Sequence, residues 1–136
     1  MSVPAKSETR LGRLLERRDF LRVASQRRKW VATGFILQVA PSDAPDKAGF
    51  GAEGRRIGFT ASKKVGNSVC RSRTKRRLRH AAQQVLAPHA AADHDFVLIG
   101  RQETADYPFD RLLADLETAL RRFKLWRDAP PSQDAG

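Results

Sequence analysis

The sequence predicts one α+β domain, a sandwich of helices on a single small sheet. Three observations predict it. Apolar residues recur at helical spacing in three separate stretches, near residues 16–25, 68–85 and 109–123. Between those stretches lie short runs of aromatic and branched residues that read as strands. The chain has 136 residues, enough for one modest core and no second domain.

Residues 1–9 have no periodic pattern and are expected to be mobile; the tail 128–136 is expected to be disordered, which leaves 10–127 as the domain. Leu11, Leu14, Leu15, Phe20 and Val23 predict a first helix over 16–25, with Leu11 to Leu15 as its lead-in. Residues 30–40 read as one strand, with Phe35, Leu37 and Val39 on one face and Ile36, Gln38 and Ala40 on the other. A loop rich in Pro, Gly, Asp and Ala follows over 41–54. Within it, residues 49–54 match G-x-G-x-x-G, but a dinucleotide site needs that pattern after a strand and at the opening of a helix. Here the loop precedes it and a strand follows, so the segment reads as a flexible connection and no small-molecule cofactor is expected.

The strand over 55–62 alternates Ile57, Phe59 and Ala61, suited to the core, with Gly58, Thr60 and Ser62 on a face that a partner's backbone can approach. Gly66 ends the extended segment. Asn67 or Ser68 then offers a side-chain oxygen to the first free N–H groups of a central helix. Cys70, Thr74, Leu78, Ala81 and Val85 make its packed stripe. A loop over 88–94, a short buried strand over 96–100 and a final helix introduced by Asp106 and Pro108 complete the order helix, strand, strand, helix, strand, helix. The last helix presents Phe109, Leu112, Leu113, Leu116, Leu120 and Phe123 on one side.

Charge is concentrated rather than spread. There are 26 Lys plus Arg against 15 Asp plus Glu, a net +11. Residues 63–79, KKVGNSVCRSRTKRRLR, hold no acidic residue, and the basic stretch extends upstream to Arg55 and Arg56. The pairs Arg71/Lys75, Lys75/Arg79 and Arg73/Arg77 are four apart, where each like-charge contact costs a helix about 0.2–0.5 kcal/mol. A face that only confers solubility mixes signs. This one calls for a polyanion, and nucleic acid is the leading class. A membrane surface is not expected, because the stripe beside these cations lacks the Trp, Phe and Leu of an interfacial helix.

Cys70 is the one cysteine, so neither an intramolecular disulfide nor a cysteine zinc cluster can form, and the residue reads as part of the packed stripe. The start of the chain lacks the apolar core of a secretory signal, and cytoplasmic residence is expected; an arginine-rich start is also compatible with organelle import. His89, Asp93, His94 and Asp95 match no zinc spacing. No Ser-His-Asp set and no carboxylate pair near the basic helix can be singled out, so catalysis by protein groups is not expected.

The segment Lys63-Lys64-Val65-Gly66-Asn67-Ser68-Val69, with Arg71-Ser72-Arg73, Lys75-Arg76 and Arg79 behind it, resembles the signature of the protein subunit of bacterial ribonuclease P. The stretch RRDFLRV, residues 17–23, is similar to that family's first helix. Two positions depart from the family pattern: Ser72 stands where Asn is usual, and Ala24 where a second aromatic is common. The resemblance covers roughly residues 10–125 and implies an α-β-β-β-α-β-α fold like the second domain of ribosomal protein S5, one strand more than the residues alone suggest.

It also implies a function. The protein would join a catalytic RNA that removes the 5′ leader from precursor tRNA by hydrolysis, with the active site and its Mg2+ on the RNA. Lys63, Lys64, Asn67, Arg71, Ser72, Arg73, Lys75, Arg76 and Arg79 would bind RNA. Phe20, Phe35 and Thr60 would line a cleft for the leader; for Phe20, core packing is the competing reading. A ribosome-associated or general RNA-binding protein is the alternative from the same basic helix. A DNA-compacting protein is weaker, since nothing predicts dimer symmetry or a minor-groove wedge.

Overall fold

The computed structural model describes residues 11–43 and 54–128. The expectations for residues 1–9, for most of the G-x-G-x-x-G stretch and for the tail beyond residue 128 lie outside these. The described elements run β1 (Gly12–Arg13), α1 (Arg17–Ser25), β2 (Lys29–Val31), β3 (Phe35–Pro41), β4 (Arg56–Thr60), a 3-10 turn (Lys63–Val65), α2 (Ser68–His89), β5 (His94–Gly100) and α3 (Phe109–Arg122). The strands form one sheet in the order β1-β4-β5-β3-β2. β4 lies parallel to β1 and to β5, with α2 as the crossover to β5, and β3 is antiparallel to β5 and β2.

Two expectations change. The single strand over 30–40 is a hairpin: Trp30 pairs with Leu37 and Val31 with Ile36, and Ala32 N–H donates to the Phe35 carbonyl at 2.9 Å to close the turn. The turn lies at Thr33 and Gly34, and the run reads as continuous because Trp30, Val31 and Ala32 before it share the apolar character of the strand after it. The lead-in before α1 is also a strand. Gly12 N–H donates to Arg55 O at 2.8 Å and Leu14 N–H to Ile57 O at 3.0 Å, which lays β1 along the outer edge of β4. Smaller shifts lengthen α2 to His89 and start β5 at His94.

The two faces of the sheet differ in cover. On one, Leu78, Ala81 and Leu86 of α2 and Leu112, Leu116 and Leu120 of α3 close over Phe35, Leu37, Val39, Ile57, Phe96 and Leu98. Each leucine among them is fully buried, and such burial contributes about 1.5–3 kcal/mol per side chain relative to exposure. On the other face α1 covers only part of the sheet, with Val23 and Leu14 against Ala40 and Val97. The remainder of that face stays accessible.

Candidate nucleic-acid interface

α2 is started by its own sequence. Gly66 has φ 150, and a Cβ there would lie 2.9 Å from the Cys70 Cβ, so the turn requires glycine. The Asn67 side chain accepts from Cys70 N–H at 2.9 Å, and Ser62 likewise caps the 3-10 turn by accepting from Lys64 N–H at 3.3 Å. Gln102 Nε2 donates to Lys64 O at 2.9 Å and fixes that turn against the segment after β5. Lys63, Lys64, Asn67 and Ser68 are thus held in a defined turn with exposed side chains.

Beyond the cap, Thr74 and Leu78 are buried and the cations spread to either side. At 100° per residue Arg71, Lys75 and Arg79 form one row, and Arg73 and Arg77 a second, with Ser72 and Arg76 between them. The first row leads to Phe59, where the Arg79 and Arg13 guanidinium groups lie 5.6 and 5.9 Å from the ring centroid. The second row begins to serve the fold. Arg77 donates to the carbonyls of Ala105, at 3.2 Å, and Tyr107, and lies 5.8 Å from the Phe109 centroid, tying α2 to the start of α3. Arg73 has one contact to a carboxylate, Asp106 at 3.8 Å, with both side chains more than half exposed; such a pair contributes at most about 1 kcal/mol. Arg71, Ser72, Arg73, Lys75, Arg76 and Arg79 therefore present donors and charge to solvent with little internal use.

Arg55 and Arg56 do not extend this surface, contrary to the sequence expectation. Arg55 is fully buried and donates to Leu86 O and Ala90 O, both at 3.1 Å, capping the C-terminus of α2. Arg56 binds the buried Asp95 in a fork, Nε to Oδ1 at 3.1 Å and Nη2 to Oδ2 at 2.9 Å. Arg22 of α1 also donates to Asp95 Oδ2, and Asp43 lies 3.3 Å from Arg56 and 3.5 Å from Arg22. Asp19 stands 3.7 Å from Arg56. These contacts fix α1 on the sheet.

The fixed helix places Phe20 over Gly58: a Cβ on Gly58 would lie 2.5 Å from the ring atoms Cε1 and Cζ. The ring is half-buried, so it is neither core nor free surface. Register puts Thr60 on the same face, opposite Ile99, which in turn faces Ile36. Thr60, Ile36, Gln38 and Ile99 are all half-buried, and with Phe20 they make a shallow trough that ends at Lys63 and Lys64. Phe35 does not belong to it. It is fully buried on the opposite face, in the core beneath α2 and α3. The family resemblance grouped Phe35 with Phe20, whereas strand alternation assigns that role to its neighbour Ile36. Gln38 shares the alternation signal; Ile99 was hidden because β5 reads as buried throughout.

His89 and Asp95 likewise part company. His89 stacks on Trp126 with ring centroids 4.0 Å apart, while Asp95 faces α1. Among the described residues, no helix is long and apolar enough to cross a membrane.

Comparison with known proteins identifies the family and the fold. Residues 9–124 match the family model described as Ribonuclease P. The ribonuclease P protein component of Paramagnetospirillum magneticum is 57% identical over 113 residues, covering 83% of each chain. That of Ruegeria pomeroyi is 50% identical over 110 residues, 80% of this chain and 83% of the relative. The fold superposes on the Staphylococcus aureus RNase P protein with a TM-score of 0.67 at 24% identity, over 87% of this chain and 100% of the other. For the Thermotoga maritima RNase P protein the TM-score is 0.63 at 22% identity, over 81% and 96%. With the expected α+β frame, a family match over residues 9–124 and relatives 50% identical or more, the chain belongs to the ribonuclease P protein family, the protein component of a ribonucleoprotein endoribonuclease of tRNA processing.

Proposed function

We propose that this protein assists the catalytic RNA of ribonuclease P in the endonucleolytic removal of the 5′ leader from precursor tRNA in the cytoplasm. The observation that carries the reading is the juxtaposition at the end of β4. There the half-buried trough with Phe20 and Thr60 runs directly into Lys63, Lys64 and the cation rows of α2. Arg71, Arg73, Lys75, Arg76 and Arg79 of α2 bind phosphates of the catalytic RNA. The trough takes the leader, one of whose bases stacks on Phe20 while Lys63 and Lys64 approach the backbone. Stacking and phosphate contact do not read base edges, which suits leaders of varied sequence.

Hydrolysis is assigned to the RNA, with Mg2+ supplying the Lewis acid there. The buried carboxylates Asp19 and Asp95 stand against arginines. The protein's part is to bind, orient and neutralise. Cations set among crowded phosphates lower the ionic strength or Mg2+ needed for docking. Reconstitution with the catalytic RNA and a labelled precursor tRNA tests this: at low Mg2+ the protein restores cleavage, and without the RNA it cleaves nothing. Cleavage by RNA-free protein would overturn the assignment, and no effect on the RNA would return the chain to general RNA binding.

A further inference from the structure

A second cluster of cations lies away from α2. Arg27, Arg28 and Lys29 lead from α1 into the edge strand β2, and Arg122 and Lys124 end α3. The fold brings the two segments together at one corner. All five are exposed, and among the described residues none has a carboxylate partner. The contact between segments is reciprocal. Arg28 lies 5.6 Å from the centroid of Phe123, and Arg122 lies 5.1 Å from that of Trp30.

Stacking on a ring orients the planar guanidinium and leaves its in-plane N–H groups able to donate. It also covers the ring. The corner therefore offers charge and aligned donors rather than a platform for bases, the chemistry of backbone phosphate recognition. Backbone geometry adds to this. Arg27 and Lys124 have φ 58 and 62, a left-handed conformation that glycine adopts freely and that strains a residue with a side chain. Lys124 closes a Schellman turn, with Leu125 N–H on Leu120 O at 2.8 Å and Lys124 N–H on Arg121 O at 3.0 Å. Cations at both glycine-favouring positions worsen the mutual repulsion. The negative end of the α3 dipole acts only on cations near its last turn, so it does not account for all five.

The corner is also remote from the α2 surface. Arg77 fastens α2 at the start of α3, and the corner sits at the other end of that fourteen-residue helix, about 21 Å away. We propose that Arg28, Lys29, Arg122 and Lys124 form a second phosphate-binding surface, which holds the backbone of a double-helical RNA segment other than the one engaged by α2. The inference rests on the RNA-binding reading above and adds a second point of attachment, so that the protein bridges two RNA segments.

The test measures binding of the full chain to a blunt RNA duplex by fluorescence anisotropy over a salt series, with thermal melting as a folding control. For R28Q/K29Q/R122Q/K124Q the slope of log K against log salt should fall by about two to four, near one per lost phosphate contact, and affinity at moderate salt should fall at least about tenfold. In the R71A/R73A background, where binding through α2 is already weakened, the corner substitutions should still lower the slope by the same amount. K29Q/K124Q leaves both ring stacks in place and should still lower the slope by about one to two, which decides the matter if the fourfold variant does not fold. An unchanged slope in a folded variant would overturn the proposal and assign the corner to an acidic protein partner or to solubility alone. The duplex readout needs no catalytic RNA: a lowered slope beside failed stimulation of cleavage would keep this surface and remove the ribonuclease P role.

Discussion

Asp95→Ala should destabilise the domain and, through it, the leader trough. The carboxylate is fully buried and accepts from Arg56 twice, at 3.1 and 2.9 Å, and from Arg22. Removing one partner of a buried ion pair usually costs about 3–5 kcal/mol, because the other charge is left without compensation. Two carboxylates remain close to Arg56, Asp43 at 3.3 Å and Asp19 at 3.7 Å, so the expected cost is the lower end, about 3 kcal/mol. For a domain of this size that corresponds to a fall in Tm of about 12 °C, read by far-UV circular dichroism. Arg22 belongs to α1, so the variant should also let Phe20 drift over Gly58. Binding of precursor tRNA should then weaken more than binding of mature tRNA. A fall in Tm below about 4 °C would show that the remaining carboxylates satisfy both arginines and that Asp95 does not hold α1.

Phe20→Leu keeps apolar volume over Gly58 but removes the flat ring; precursor tRNA with a leader of several nucleotides should bind about 1–3 kcal/mol more weakly while mature tRNA and Tm change little. Equal loss for both RNAs would take Phe20 out of the leader contact. Gly58→Ala approaches the same ring from beneath: with 2.5 Å to Cε1 and Cζ the half-buried ring must move, at about 1 kcal/mol, and leader-dependent binding should fall. In combination with Phe20→Leu the two losses should not add, and full additivity would refute the shared mechanism. Arg71→Ala with Arg73→Ala should weaken binding to the catalytic RNA and lower its salt slope by about one per engaged arginine, with Tm unchanged; an unfolded double variant would make these side chains structural.

Much of this was legible in the sequence because local physics decides it. A cap at Asn67 or Ser68, a strand that ends at Gly66 and the buried stripe through Thr74 and Leu78 follow from residue type and helical period, and the structure selects Asn67. What sequence misses is whatever depends on partners distant along the chain. Arg55 and Arg56 read as surface charge, and become a helix cap and an ion pair only once α2 and β5 arrive beside β4. Phe35 and Phe20 are both aromatic, yet alternation and the placement of α1 put them on opposite faces of the sheet. The hairpin between β2 and β3 escaped because Trp30, Val31 and Ala32 continue the apolar character of the strand that follows.

The strand order has one more consequence, for how the protein behaves before it meets RNA. Both outer positions of the sheet are taken by very short strands, two residues in β1 and three in β2. Each carries an exposed cation, Arg13 in one and Lys29 in the other. An incoming strand from a second copy would find few free N–H and carbonyl groups to pair with and a charge of its own sign at the register it needs. The long apolar strands β3 and β5 lie in the interior of the sheet, where no other chain can add to them. A protein whose net charge is built for a polyanion is thereby kept from aggregating through its own sheet while that polyanion is absent.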